Sequence, residues 1–187
     1  MAINLKKGSQ FNLTKENTSL DKIMVGLGWD MHLIKTIDLD ASVFMVGPDG
    51  KLPADEFFIF FNNLKSPDGS VEHTGDNRTG KGDGDDEMIL ANLSSISEEV
   101  TELIFVVSIH NAEILHQHFG MLENAYIRIV DIDTQREILK YKLESKNFKG
   151  VTDMEFGRLV KRGNDWTFHA SGNGTKIGLQ GYVDQYA

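Results

Sequence analysis

The chain has 187 residues, with 19 lysines and arginines against 28 aspartates and glutamates and a formal net charge of −9. It contains no cysteine, which excludes disulfides, thiolate metal sites and any chemistry on a cysteine nucleophile. The acidic balance opposes nucleic-acid binding, which needs a basic footprint. The N-terminal run Met1 to Lys7 has no apolar signal-peptide core. The longest apolar runs, such as Phe57 to Phe61 and Leu103 to Val107, are too short for a transmembrane segment. A soluble, cytoplasmic protein folded as a single domain over residues 1–187 is expected.

Along the chain the apolar residues recur mostly with a period of two. Lys22 to Trp29 reads as a short apolar strand. In Ile37 to Val46 the residues Ile37, Leu39, Ala41, Val43 and Met45 fall on one face and Asp38, Asp40 and Ser42 on the other. Glu56 to Phe61 is apolar on both faces, which predicts a central, fully covered strand. Gly47-Pro48-Asp49-Gly50 and Ser66-Pro67-Asp68-Gly69 are turn signatures. Met88 to Leu93, Leu103 to Ile109, Ala125 to Asp131 and Glu137 to Leu143 each read as strands, and Ser97 to Thr101 as a short helix. Thr152 to Arg162 and Asp165 to Ala170 form a predicted hairpin turning at Gly163-Asn164. Many short strands with turn signals at this spacing predict an all-β fold, an antiparallel β-sandwich with short helices.

The densest chemistry lies in Gly75 to Glu87, GDNRTGKGDGDDE. It gathers Asp76, Asp83, Asp85, Asp86 and Glu87 with four glycines, opposed only by Arg78 and Lys81. So many carboxylates on one kinked loop repel one another unless a cation sits among them. Glycines let carbonyl oxygens turn inward beside them. Carboxylates and carbonyls together make a hard oxygen site of the kind Ca²⁺ takes; the bland alternative is a solvated acidic loop. The stretch matches most of a phosphate-binding P-loop, but Gly82 stands where the Mg²⁺-holding hydroxyl belongs. No EF-hand register fits: from Asp76 the third position is Arg78, and from Asp83 the sixth is Met88. The glycine–aspartate run occurs once, whereas the Ca²⁺-binding β-helix needs repetition.

A second acidic group precedes it. Asp38 and Asp40 sit two apart on a strand, so their carboxylates share a face about 7 Å apart. Asp30 ends the preceding strand, and in a hairpin Asp30 and Asp38 would bracket residues 31–37. The trio either completes the metal site or is a solvent-facing set on an edge strand. His116-Gln117-His118 would put two imidazoles on one face of a strand, near His110; these read as ordinary surface histidines.

Val25 to Asp30, Asp38 to Phe44, Gly75 to Gly80 and Gly82 to Glu87 together resemble the TerD family of tellurium-resistance proteins. Phe58 to Asn63, Ser66 to Gly69, Phe119-Gly120, Asn124 to Arg128, Phe156-Gly157, Trp166 and Phe168 fit the same pattern, so the resemblance covers nearly the whole chain. It implies a β-sandwich that binds two Ca²⁺ ions at acidic loops on one end. The implied ligands are Asp30, Asp38, Asp40, Asp76, Asn77, Asp83, Asp85, Asp86 and Glu87. It further implies a non-catalytic, indirect role in tellurite resistance and stress response, with other tellurium-resistance proteins, membrane-associated ones among them, as partners. Two departures stand out. Asn111 follows Val107 to His110 where the family commonly has aspartate, and the tail keeps the family's glycine spacing only loosely. Two other functions suit the same acids: a metal-dependent hydrolase with an activated water, and a Ca²⁺-dependent membrane-docking module.

Overall fold

A computed structural model describes residues 2–31, 37–75 and 84–187. Two sheets pack face to face. The first runs in the order β1 (Ile3–Leu5), β10 (Arg136–Lys142), β9 (Leu122–Asp131), β3 (Lys22–Met31), β7 (Glu87–Asn92) and β6 (Val71–His73). The second runs β2 (Gln10–Asn12), β12 (Asp165–His169), β11 (Asp153–Arg162), β8 (Glu102–Ile109), β4 (Leu39–Val46) and β5 (Phe58–Ile59), with β13 (Asn173–Thr175) beside the start of β11. Every strand pair is antiparallel except β1 with β10.

The period-two pattern has the consequence expected of it. Ile23, Val25, Leu27 and Trp29 of β3 face Leu39, Ala41, Val43 and Met45 of β4 and Leu103, Phe105 and Val107 of β8 across one core. The proline–aspartate–glycine turns close as read, Gly50 N–H donating to Gly47 O at 3.0 Å and Gly69 N–H to Ser66 O at 2.9 Å. Gly50 and Gly69 take φ of 75° and 71°, the left-handed region that favours glycine. The hairpin at Gly163-Asn164 joins β11 to β12.

Several expectations are corrected. Phe58–Ile59 is a two-residue edge strand, not a central one; Ile59 faces the main core, and Phe58 stacks on Phe44 on the outer side. Residues 97–101 form a turn closed by Val100 N–H to Ser97 O at 3.0 Å, with a 3₁₀ turn at Leu93–Ser95 just before it. A one-turn helix, α1 (Leu13–Glu16), follows β2. His116 ends the short helix α2 (Ala112–Leu115) in a left-handed conformation, so His116 and His118 do not share a strand face. Asp30 and Asp38 do not flank a hairpin, because β3 and β4 belong to different sheets. The tail, unassigned from sequence, forms the helix α3 (Gly178–Tyr186), which lays Tyr182 and Tyr186 over Phe44, Val46, Phe58, Ile104 and Val106 on the outer face of the second sheet. No helix among the described residues is long and apolar enough to cross a membrane.

Candidate metal centre

The ends of β3, β4, β7, β8 and β9 meet at one edge of the molecule. Met31 pairs with Leu122, Leu27 with Glu87, and Leu39 with Ile109. At that edge β9 bulges against β3: Gly28 and Asp30 are two residues apart, but their partners Tyr126 and Glu123 are three apart, with Asn124 at a φ of 52°. Trp29 keeps the alternation of β3 and faces the core, and Asp30 is exposed. Asp30 Oδ2 accepts from Asn124 Nδ2 at 2.7 Å.

Asp86 and Glu87 extend the ladders where strand pairing stops. Asp86 N–H donates to Leu27 O at 2.8 Å, and Asp86 Oδ2 accepts from the Trp29 backbone N–H at 2.8 Å. Glu87, 1% exposed, reaches across the core, and its Oε2 accepts from the Ala41 backbone N–H at 2.6 Å. One carboxylate thereby ties the first sheet to the second. His73 Nε2 lies 3.4 Å from the same oxygen, and His73 Nδ1 accepts from Gly75 N–H at 3.0 Å, which places the ring proton on Nε2. Burial pushes the Asp86 carboxyl up, the Trp29 N–H bond opposes this, and the charges of Asp30 and Asp85 add to it. Burial likewise raises Glu87, against the pull of His73 and the Ala41 N–H, with Asp40 raising it further.

Asp40 lies on β4 and Asp38 just before it, and both are half-buried. The Asp38 carbonyl accepts from His110 N–H at 2.8 Å, and His110 Nδ1 stands 3.7 Å from Asp40 Oδ2. Asp85 lies on the outer face of the first sheet, with both its oxygens on Arg128. Asp76, Asn77 and Asp83 lie outside the described residues.

The described acids lie at one end, where Asp30 and Asp85 raise Asp86 and Asp40 raises Glu87. Asp30, Asp38, Asp40 and Asp86 come from three segments around the edge. Asp85 is held by Arg128 and Tyr126, Glu87 by the Ala41 N–H, Asp86 by the Trp29 N–H and Asp30 by Asn124. Among the described residues, no three His, Asp or Glu side chains converge closely enough to hold an ion by themselves. Gly75 and Gly84 are held at this same end, Gly75 N–H donating to His73 Nδ1 and Gly84 O accepting from the Tyr126 hydroxyl at 3.0 Å. The sequence between them carries Asp76, Asn77 and Asp83. The combined donor set is oxygen throughout, and burial and like charge raise Asp86 within it, so the set fits a hard cation that would relieve that repulsion. Sequence reasoning missed Arg128, Tyr126 and His73. Tyr126 and Arg128 alternate on one face of β9, a period-two signal that could have been read opposite Gly26 and Gly28.

The TerD domain model matches residues 1–186. The chain is 44% identical over 188 aligned positions to the tellurium resistance protein TerD of Serratia marcescens, covering all of this chain and 97% of that one. It is 41% identical over 189 positions to general stress protein 16U of Bacillus subtilis, covering all of this chain and 97% of the relative. A solved structure of a homologue of telluride resistance protein (TerD) from Streptomyces coelicolor superposes with a TM-score of 0.70 at 21% identity, over 88% of this chain and 96% of that one, a likeness of fold. With the model spanning nearly every residue and relatives above 40% identity along the full length, the chain belongs to the TerD family, among proteins named for tellurium resistance and general stress.

Proposed function

We propose that this protein is a non-catalytic, cytoplasmic Ca²⁺-binding member of the stress-response machinery that confers tellurite resistance, and that it acts indirectly through partner proteins. The observation that carries this reading is the delivery of Asp30, Asp38, Asp40 and Asp86 from both sheets to the edge where Gly75 and Gly84 are held. Asp30, Asp38, Asp40 and Asp86 would hold the ions together with Asp76, Asn77 and Asp83. Bound Ca²⁺ would offset the mutual repulsion of these carboxylates. A chain without cysteine has no thiolate ligand for tellurium and no thiol redox pair to reduce it, which favours an indirect role. Calorimetric titration of the chelated protein tests the site. Ca²⁺ should bind with a stoichiometry of up to about two and in clear preference to Mg²⁺, which demands a smaller octahedral cage. Equal affinity for the two ions, or no heat with either, would sink the assignment.

A second reading, Ca²⁺-dependent membrane docking, has one observation in its favour. Ile114 is 77% exposed on α2, directly after the segment in which His110 contacts Asp38 and Asp40, and Leu115 and Ile177 are exposed close by. Sedimentation with phosphatidylserine vesicles decides it. Binding that needs Ca²⁺ and falls for Ile114→Ser supports docking; no vesicle binding with saturating Ca²⁺ removes it. The hydrolase alternative gains no such observation, since the arginine beside the acids, Arg128, is engaged by Asp85 and Glu137.

A further inference from the structure

On the outer face of the first sheet, Gly26 and Gly28 of β3 stand opposite Arg128 and Tyr126 of β9. Two glycines in register leave a trough in the sheet. The Asp85 carboxylate fills it at Gly26, where an added Cβ would run into the carboxyl group, and the Tyr126 ring fills it at Gly28 in the same way. Asp85 Oδ1 accepts from Arg128 Nε at 2.8 Å and from the Tyr126 hydroxyl at 3.0 Å, while Oδ2 accepts from Nε at 3.0 Å and Nη2 at 2.8 Å. The Asp85 side chain is 2% exposed. Arg128 is in turn held by Glu137 on β10, Nη1 to Oε2 at 3.0 Å, and the Lys140 ammonium sits 3.5 Å from the centre of the Tyr126 ring.

We propose that Arg128 is a positioning residue for the acidic loop, and that Asp85 is the loop's anchor and not one of its ion ligands. The inference rests on the Ca²⁺ reading above and deepens it. A bidentate carboxylate–guanidinium pair is among the strongest polar contacts a protein makes. For Asp85 to ligate an ion it would have to leave those bonds and strand a partly buried guanidinium beside a divalent cation. Held as it is, Asp85 pins the chain one residue before Asp86, whose amide then meets Leu27 O and whose carboxylate meets the Trp29 N–H. The latch thus sets where the C-terminal arm of the acidic segment lies, and does so before any ion arrives.

The latch and plain electrostatics predict opposite signs. Removing a positive charge near an acidic site should tighten cation binding if only charge counts. If the guanidinium positions the loop, its removal should weaken binding.

The test compares wild type, Arg128→Met, Arg128→Lys and Gly26→Ala. Gly26→Ala blocks the trough without changing any charge, and Arg128→Lys keeps the charge without the fork and serves if the methionine variant folds poorly. Two quantities are read: Ca²⁺ affinity by calorimetry, and exchange of the Asp86 amide in chelator, with β8 amides as the control for global folding. Arg128→Met and Gly26→Ala should each lower Ca²⁺ affinity about tenfold, the usual effect of losing an outer-shell partner. Both should deprotect the Asp86 amide while β8 stays protected, and Arg128→Lys should fall between. Affinity unchanged or tighter in Arg128→Met overturns the proposal and leaves the Ca²⁺ site intact, with Asp85 free to ligate. If wild type itself binds no Ca²⁺, the Ca²⁺ reading falls and the positioning role falls with it; Asp86 deprotection in Arg128→Met would then mark an ion pair that serves the fold alone.

Discussion

Asp68 occupies the Ser66–Gly69 turn, and its oxygens accept four hydrogen bonds: from Ser66 Oγ at 2.6 Å, Ser70 N–H at 2.9 Å, Ser70 Oγ at 2.7 Å and Ser97 N–H at 2.8 Å. Burial alone would raise its pKa, but the bonds from Ser66, Ser70 and Ser97 outweigh burial and hold the carboxyl below its ordinary value. A carboxyl depressed in the folded state adds stability that is fully present above its unfolded pKa, near 4, and is lost as pH falls through the lower folded value. Asp68→Asn turns one acceptor into a donor facing Ser70 or Ser97. The variant should lose about 2 kcal/mol at neutral pH, the scale of hydrogen bonds to a charged group. The gap to wild type should close below about pH 4. Urea melts of both proteins from pH 7 down to pH 3 check this; a gap that stays constant across that range would show that the charge contributes nothing. The sequence motif predicts the turn because proline and glycine preset its backbone. It is silent on Ser97, which is brought to the carboxylate only by the fold. Asp85 repeats the point: the local run of acids reads as a ligand set, and its partners on β9 lie some forty residues away in the chain.

At the level of elements, α3 caps the outer face of the second sheet. It covers Phe44, Phe58, Ile104 and Val106 with Tyr182 and Tyr186, and burial, with Glu155 next, pushes the Tyr186 hydroxyl up to about 12. Beneath it Arg158 bridges Glu155 at 2.7 Å and Glu102 at 2.9 Å. Its end is pinned by Leu52 N–H to Tyr186 O at 2.7 Å and by Lys51 Nζ to Gln185 O and Ala187 O. Deleting residues 178–187 should cost on the order of 4 kcal/mol from the two tyrosines alone. It should also expose an aromatic patch that binds a hydrophobic dye and promotes self-association. Equilibrium urea unfolding and size-exclusion chromatography would measure both, and an unchanged midpoint with a clean monomer peak would contradict the packing role. The strands were legible because one core face imposes a period of two on β3, β4 and β8. The helix was not, because α3 has a mixed face and owes its place to apolar residues that β4 and β8 turn outward. The β5 segment misled for a related reason: Phe58 is apolar toward the outer cluster, so two-sided hydrophobicity mimicked a central strand at an edge.

At the scale of the whole molecule, a set of carboxylates gathered at one end should make the ion-free fold less stable through mutual repulsion. An ion that binds the folded chain and not the unfolded one stabilises by RT ln(1 + [L]/Kd), roughly 4 kcal/mol at a thousand times Kd. For a chain of this length that is on the order of 10 °C in Tm. Thermal melting in Ca²⁺ and in chelator should show the rise in wild type, and Asp38→Ala should shrink it; identical melting in both buffers would remove Ca²⁺ from the account. The tether of Glu87 to Ala41 joins the two sheets by a side chain at this end, so the gain should appear as one cooperative transition. One outer edge of each sheet is formed by a segment early in the sequence. Ile3 to Leu5 are the edge strand of the first sheet, beside residues 139–141, and Gln10 to Asn12 are the edge strand of the second, beside residues 167–169. Both segments find their partners more than a hundred residues further along the chain, so these pairings carry a large loop-closure cost and should be among the last to form.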